Sequence, residues 1–167
     1  MRKDILGLTE NDYINISINS ERFMSLEDLP NEEWRDIKNY EGIYQVSNYG
    51  RVKSLFRKYP VYNQIGYTGK FKEIETRILL QYKTKKGYYL VWLYKNNKRK
   101  GCSVHILVAN AFMENVNGLE TVNHIIPVTK DMCNNTLINL EYMSLRDNVM
   151  DSIKRGTHKY WGRSLND

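Results

Sequence analysis

One histidine and three asparagines in the C-terminal third of the chain have types and spacing that could support chemistry. They are Asn123, His124, Asn139 and Asn148. An imidazole can accept a proton near neutral pH, and amide oxygens are hard ligands that suit divalent cations. These four side chains therefore indicate a candidate site for metal-assisted hydrolysis.

The four residues fall in a predicted unit of strand, loop, strand and helix. Residues 121–126 and 139–143 are short apolar runs typical of strands. Ser144 can cap the following helix, an acidic residue three positions later completes a capping box, and Gly156 is suited to end it. Asn148 is then expected near the first turn of the helix, close to the strand ends.

Strand geometry limits how these groups can converge. Neighbouring residues on a strand point to opposite faces of the sheet. Asn123 and His124 can therefore face one ion only at a bend or at the end of the strand, with Asn148 approaching from the helix. Each asparagine also has an ordinary interpretation as a turn cap or a surface residue, because asparagine is common in such places.

A second histidine precedes this unit. Residues 104–113 have apolar side chains at helical spacing and predict a short, largely buried helix. We interpret His105, near its start, as a structural residue, because a single histidine on an apolar helix is usually satisfied by its surroundings.

The N-terminal half is predicted to be rich in β-structure. Residues 33–55 contain a compact turn and two strands joined by a reversal at 48–50. The second strand alternates basic or polar with apolar residues, so we expect Arg51 and Lys53 to reach outward. Residues 57–72 show no clear period and are predicted to form a long loop. Further strands are expected at 77–82, 88–94 and around 100–104, with basic connections between them.

The net charge of +6 is unevenly distributed along the chain. Residues 1–33 contain three basic and eight acidic residues, so residues 34–167 carry +11. Such a body attracts polyanions, and nucleic acid is the usual partner, although basic hairpin tips also serve solubility. The candidate DNA contacts are Arg51, Lys53, Lys83, Lys85, Lys86, Lys98, Arg99, Lys100, Lys154 and Arg155.

The pattern predicts four parts: a weakly structured acidic extension over 1–31 with a helical turn at 26–30, a β-rich DNA-contacting module over 32–100, a domain with the candidate site over 101–157, and a basic tail over 158–167. The two cysteines lack paired spacing, which fits a reducing, intracellular setting. No apolar run approaches the roughly 20 residues that cross a bilayer. We therefore expect a protein without membrane contact in the cytoplasm of the host cell.

Two regions resemble phage and intron-encoded HNH homing endonucleases. Residues 33–55 are similar to the Trp/Gly-Tyr-Glu-Gly/Val-Ser-Asn-x-Gly-Arg-Val module that precedes nuclease domains in that family. Residues 104–157 resemble the nuclease pattern in V-H-I-L-V-A-N-A-F, V-N-H, N-N-x-x-x-N-L-E-Y and D-N-V followed by R-G-T. The resemblance implies an α+β chain, with a small antiparallel sheet module followed by a ββα-metal nuclease domain.

The resemblance also implies a role for each candidate residue. His124 matches the general base that takes a proton from the attacking water. Asn123 and Asn148 match ligands of one divalent ion, Mg²⁺ or Mn²⁺, and Asn139 matches the middle asparagine that holds the loop and orients the base. Because the two ligands are uncharged, we expect weak ion binding until a DNA phosphate completes the shell. The implied reaction is hydrolysis of double-stranded DNA, by nicking or double-strand cleavage, in a monomer or homodimer.

The chain also departs from the family pattern. The loop after His124 is usually a tight Asp-Gly-Asn-Lys turn, whereas residues 125–133 are longer and more apolar. The resemblance stops near residue 158, without a C-terminal helix-turn-helix, so we expect target recognition from the hairpins, the β-rich module and the basic tail. One alternative is a DNA-binding or regulatory protein with a decayed nuclease site. Another is an RNA-binding module, which has only the basic charge and thirteen tyrosines in its favour.

Overall fold

A computed structural model describes residues 18–126 and 134–156. Residues 1–17 of the predicted extension, residues 127–133 of the predicted loop after His124 and the predicted basic tail lie outside these ranges. The helices are α1 (Glu21–Met24), α2 (Val104–Phe112) and α3 (Leu145–Lys154), with a 3-10 turn at Leu137–Asn139. The strands are β1 (Trp34–Asp36), β2 (Tyr44–Ser47), β3 (Val52–Ser54), β4 (Arg57–Asn63), β5 (Gly66–Ile74), β6 (Arg77–Ile78), β7 (Tyr82–Lys83), β8 (Tyr89–Lys95), β9 (Lys98–Ser103), β10 (Thr121–His124) and β11 (Leu140–Met143).

The described strands form four small antiparallel sheets. Their orders are β1-β2-β3-β6, β4-β5, β7-β8-β9 and β10-β11. The α+β prediction is confirmed, with most strands preceding α2 and the β10-β11 hairpin leading into α3. The predicted helices at 104–113 and after Ser144 are also confirmed, and Gly156 adopts the left-handed φ of +66° expected just past a helix end.

One hydrophobic cluster joins the β-rich half to the elements around His124. Val46 of β2, Val91 of β8, Val104 and Val108 of α2 and Leu140 of β11 all belong to it. All five side chains are almost completely buried. The predicted domain boundary at residue 100 falls inside β9. Helix α2, which follows β9, packs on the same core as the sheets before it.

The long loop predicted over residues 57–72 is wrong. These residues form most of the β4-β5 hairpin, with a bulge between Pro60 and Tyr62. Most residues of both strands are exposed or only partly buried, and Tyr62 and Tyr67 are more than half exposed. Because neither face of this hairpin packs into a core, its sequence has no apolar alternation to reveal a strand.

The described part of the predicted extension is packed on the β-rich half. Phe23 of α1 and Leu29 are 4% and 7% exposed. The helical turn is at Glu21–Met24 and not at 26–30. Burying these two apolar side chains explains why the segment is ordered despite its acidic composition.

The expectation that Arg51 reaches outward is wrong. Its side chain is completely buried, and its guanidinium lies 2.8 Å from the carboxylate of Glu32. The guanidinium also donates to the backbone carbonyls of Ser25 and Glu27. Because the segment over 25–32 covers this face of β3, Arg51 is removed from any DNA surface. Sequence alternation alone does not reveal such a covering segment.

Candidate nuclease site

The β10-β11 hairpin fixes the positions of Asn123 and His124. In its antiparallel register, Asn123 lies opposite Glu141 and His124 lies opposite Leu140. His124 is the last residue of β10. It therefore lies at a strand end, which is one condition under which neighbouring residues can approach one ion.

His124 is held in a buried setting. Its side chain is 4% exposed, and its Nε2 lies 3.0 Å from Oδ1 of Asn135. With the Asn135 oxygen as the acceptor, as it is placed in this structure, Nε2 carries the proton and Nδ1 of the neutral ring carries the lone pair. Burial lowers the pKa of His124 below its usual value, while the bond to Asn135 acts in the opposite direction. The ring is therefore neutral near pH 7 and able to accept a proton.

The ring of His105 packs beside the ring of His124. The two ring centroids are 5.0 Å apart in an edge-on arrangement, and Tyr88 lies 5.1 Å from His105. Burial, followed by the charge of His124, lowers the pKa of His105 to about 4. Its Nδ1 is buried without a hydrogen-bond partner among the described residues. This neutral ring thus packs against His124.

Asn123 is oriented by two carboxylates. Its Nδ2 lies 3.2 Å from Oε1 of Glu141 and 3.4 Å from Oδ2 of Asp151. Since the amide nitrogen faces both acceptors, the amide oxygen is directed away from them. Oxygen is the atom that a hard cation would require.

Helix α3 contacts the hairpin through Asp151, whose carboxylate lies 3.4 Å from the Asn123 amide nitrogen. Residues three positions apart share a face of a helix, so Asn148 lies one turn before Asp151. The end of the helix is attached to β10 by Arg155, whose Nη1 donates to the backbone oxygens of His124 and Ile125 at 3.4 and 2.9 Å. Its Nε also lies 2.7 Å from the carboxylate of Asp151.

Asn139 contacts Ile126 and Asn134. It is 3% exposed, its Nδ2 donates to the backbone oxygen of Asn134 at 2.8 Å, and its Oδ1 accepts from the backbone N–H of Ile126 at 2.8 Å. These two partners flank residues 127–133. Asn139 thus links the described residues on either side of this segment, and its predicted role stays a prediction. The ring of His124 is contacted by Asn135.

Comparisons with known proteins show what the chain is similar to. Residues 32–94 match the NUMOD4 motif. DNA endonuclease I-HmuI of Bacillus phage SP01 is 36% identical over 125 residues, which are 75% of this chain and 60% of the phage protein. A solved structure named "DNA binding and cleavage by the HNH homing endonuclease I-HmuI" has a TM-score of 0.56 and 36% identity, covering 77% of this chain and 62% of that chain. The chain is a relative of the HNH homing endonucleases.

A second HNH relative supports the assignment. An uncharacterized HNH endonuclease of Acanthamoeba polyphaga mimivirus is 34% identical over 113 residues, which are 66% of this chain and 32% of that protein. The predicted resemblance to HNH homing endonucleases is therefore confirmed. The chain spans less than two thirds of the length of either relative.

Sequence reasoning missed three residues of this candidate site. Asn135 contacts His124, and Glu141 and Asp151 hold the amide of Asn123. Asn135 and Glu141 lie within the N-N-x-x-x-N-L-E-Y stretch. The sequence analysis selected only Asn139 from this stretch. Asp151 follows Asn148 by three positions, so the helical period could have placed it on the same face.

The donor set suits a hard divalent cation held jointly with a substrate. In residues 18–126 and 134–156, no group of three His, Cys, Asp or Glu side chains could hold a metal ion. Amide oxygens from Asn123 and Asn148 would fill part of a six-oxygen shell, which leaves positions for water and phosphate. The nearby carboxylates of Glu141 and Asp151 would add negative charge close to such an ion.

The predicted basic contacts differ in their surroundings. Seven of them are exposed: Lys83, Lys85, Lys86, Lys98, Arg99, Lys100 and Lys154. Arg99 stacks 4.3 Å from the ring centroid of Trp92. The side chain of Lys53 is only 14% exposed and lies 3.8 Å from the Trp34 ring centroid, and Arg155 is engaged at the candidate site as described above. Across the described part of the chain, no helix has the length and apolar character to span a membrane.

Proposed function

We propose that this protein is a DNA endonuclease that hydrolyses phosphodiester bonds with one divalent ion, Mg²⁺ or Mn²⁺. The observation that carries the proposal is the buried His124 ring, whose Nε2 is held by Asn135 at 3.0 Å beside the Asn123 amide and helix α3. The two HNH relatives are named as endonucleases, and the solved structure of I-HmuI is named for DNA binding and cleavage. The activity of the whole protein is inferred from these similarities.

His124 would act as the general base. Its lowered pKa keeps the ring neutral, and Nδ1 carries the lone pair once Nε2 donates to Asn135. In the proposed reaction, Nδ1 takes a proton from water as the water oxygen bonds to phosphorus. The phosphorus bond to the 3′ oxygen then breaks, and this oxygen takes a proton from solvent water, leaving a 3′ hydroxyl and a 5′ phosphate.

Asn123 and Asn148 would hold the ion, and Asn139 would hold the loop. When bound, a hard cation stabilises negative charge on the reacting phosphate and on the departing oxygen. Glu141 and Asp151 fix the amide of Asn123 so that its oxygen remains available for this contact. Because both ligands are uncharged, the free protein would bind the ion weakly.

Double-stranded DNA is the proposed substrate. The exposed lysines at the connections of β7, β8 and β9 would contact phosphates, because cationic side chains replace the counterions of DNA. A monomer with one site would most simply nick one strand. Cleavage of both strands would require a homodimer or two successive cuts.

A second candidate is a DNA-binding regulator without nuclease activity. It is favoured by the absence of a three-ligand group of His, Cys, Asp or Glu in the part of the chain that the structure describes. Such a protein would retain the basic surface and bind DNA, but it would not cut.

Incubation with supercoiled plasmid separates the two candidates. The endonuclease converts the plasmid to nicked circles in magnesium but not in EDTA, and DNA ligase reseals the nicks because they carry a 5′ phosphate and a 3′ hydroxyl. Retardation of the plasmid without nicking in either magnesium or manganese would reject the nuclease and favour the regulator.

A further inference from the structure

Asn135 is the polar partner of the His124 ring, although Asn139 was the residue expected to orient the base. Its side chain is 4% exposed, and its oxygen is 3.0 Å from Nε2 of His124. An acceptor at this position defines which ring nitrogen carries the proton. A partner of this kind also fixes the rotation of the ring.

The backbone around Asn135 is held by the β-rich half. The turn over 47–50, which joins β2 to β3, lies directly against it. The carbonyl of Asn48 accepts from the backbone N–H of Leu137 at 2.7 Å. A Cβ added to Gly50 would lie 3.0 Å from the Asn135 Cβ and 3.1 Å from its backbone oxygen. A side chain at position 50 would therefore require Asn135 to move by a few tenths of an ångström.

Gly50 also has a φ of +80°, which glycine adopts without strain. Its carbonyl accepts from Nε2 of the buried Gln81 at 2.7 Å. The turn is therefore fixed on both sides, by Gln81 and by the contacts to Asn48 and Asn135. It forms a rigid surface against which Asn135 rests.

We propose that Asn135 is a positioning residue for His124 and that the turn over 47–50 holds Asn135 in place. The inference rests on the proposed nuclease function and deepens it. The turn lies within the NUMOD4 region. This region would then help to align the general base in addition to contacting DNA. Asn135 acts through His124 and does not touch the reacting phosphate.

The direct test is nuclear magnetic resonance of ¹⁵N-histidine-labelled full-length protein without metal. With only three histidines in the chain, the His124→Ala variant identifies the signals of His124. The wild type is expected to show an Nε2–H proton of His124 that exchanges slowly with water. Asn135→Leu should lose this signal, whereas Asn135→Asp, which keeps an acceptor oxygen, should retain it.

The same variants are compared in single-turnover plasmid nicking. Asn135→Leu is expected to lower the rate roughly 10- to 100-fold, by analogy with the partners that orient metal-bound histidines, with plasmid binding unchanged. An unchanged Nε2–H signal or a rate within about twofold of wild type in Asn135→Leu would overturn the inference, since a twofold change is far below that range.

Two glycine variants test the turn. They also test the inference if Asn135→Leu does not fold. Gly50→Ala introduces a methyl group against Asn135. Gly42→Ala is the matched control, because Gly42 has a φ of +69° but open space around its would-be Cβ. We expect Gly50→Ala, and not Gly42→Ala, to shift the ring signals of His124 and slow nicking. Identical His124 signals in both variants would overturn the inference.

The two failures are distinguishable. If the proposed function fails, the wild type binds plasmid without nicking, while the His124 signals still report whether Asn135 holds the ring. If the present inference fails, the wild type and Asn135→Leu nick equally well.

Discussion

The guanidinium of Arg51 lies 2.8 Å from the carboxylate of Glu32, and both side chains are fully shielded from solvent. Arg51 had the sequence features of a DNA contact on a strand. In the folded chain it instead attaches the acidic segment over 25–32 to the β-rich half. Its charge therefore contributes to folding and not to a DNA surface.

Removing this arginine is expected to destabilise the protein strongly. Arg51→Met leaves Glu32 buried without its cation, which costs about 3–5 kcal/mol of unfolding free energy. Lys53→Met is the matched control, because its partner Asp28 is 59% exposed at 3.6 Å and such pairs contribute at most about 1 kcal/mol. Urea unfolding measures both variants, and equal losses of stability would contradict the buried role of Arg51.

Acid is expected to destabilise the fold through His105. Its pKa is about 4 in the folded chain and near 6.5 when unfolded, so the unfolded chain binds more protons between these values. Stability should therefore fall as pH drops from 6.5 towards 4, by about 2 kcal/mol at pH 5 from this group alone.

His105→Phe tests this linkage, because phenylalanine fills a similar ring site without titrating. The variant should lose less stability than the wild type between pH 7 and pH 5, as measured by urea unfolding. Parallel decreases in the two proteins would assign the acid sensitivity to other groups, including His124, whose pKa is lowered in the same direction.

Asn123→Asp should tighten metal binding and destabilise the metal-free protein. The new carboxylate would lie against Glu141 and Asp151, so repulsion should lower the melting temperature in EDTA. Magnesium should then raise the melting temperature more than in wild type, since tenfold tighter binding adds about 1.4 kcal/mol at saturation. Asn123→Ala is the control without a ligand oxygen. Equal magnesium effects in wild type and Asn123→Asp would contradict a ligand role for Asn123.

The salt dependence of DNA binding tests the predicted lysine contacts. Replacing Lys85 and Lys86 by alanine should reduce the slope of log affinity against log salt by about 0.9 for each phosphate that the protein no longer neutralises. Lys38→Ala removes one exposed positive charge outside the predicted contacts and should leave the slope unchanged. Gel retardation over a salt series measures these slopes, and a steady slope in the double variant would exclude both lysines as DNA-binding residues.

Elements with a local signal were predictable from sequence. The apolar spacing of residues 104–113 predicted α2, and the capping pattern after Ser144 predicted α3, whose cap bond from Asp147 N–H to Ser144 Oγ is 3.1 Å long. The β4-β5 hairpin gave no such signal because most of it is at least partly exposed to solvent. Its strands depend on pairing with each other, not on burial against a core.

The site was predictable only in part, for a similar reason. The order of short motifs selects His124, Asn123 and Asn148 as candidates, and their roles stay predictions. Asn135 and Gly50 meet in the fold although 85 positions separate them in the sequence. Contacts over such a separation leave no local periodicity, so the partner of the His124 ring required the structure.

The central claim is that His124 is the base of a metal-dependent nuclease. Its most direct test is the single-turnover nicking rate of His124→Ala in magnesium, with plasmid retardation and melting temperature measured on the same preparation. We predict a rate at least about 100-fold below wild type with DNA binding retained, because general base catalysis contributes about 10²–10⁴. A folded His124→Ala protein that nicks plasmid at the wild-type rate would contradict the claim.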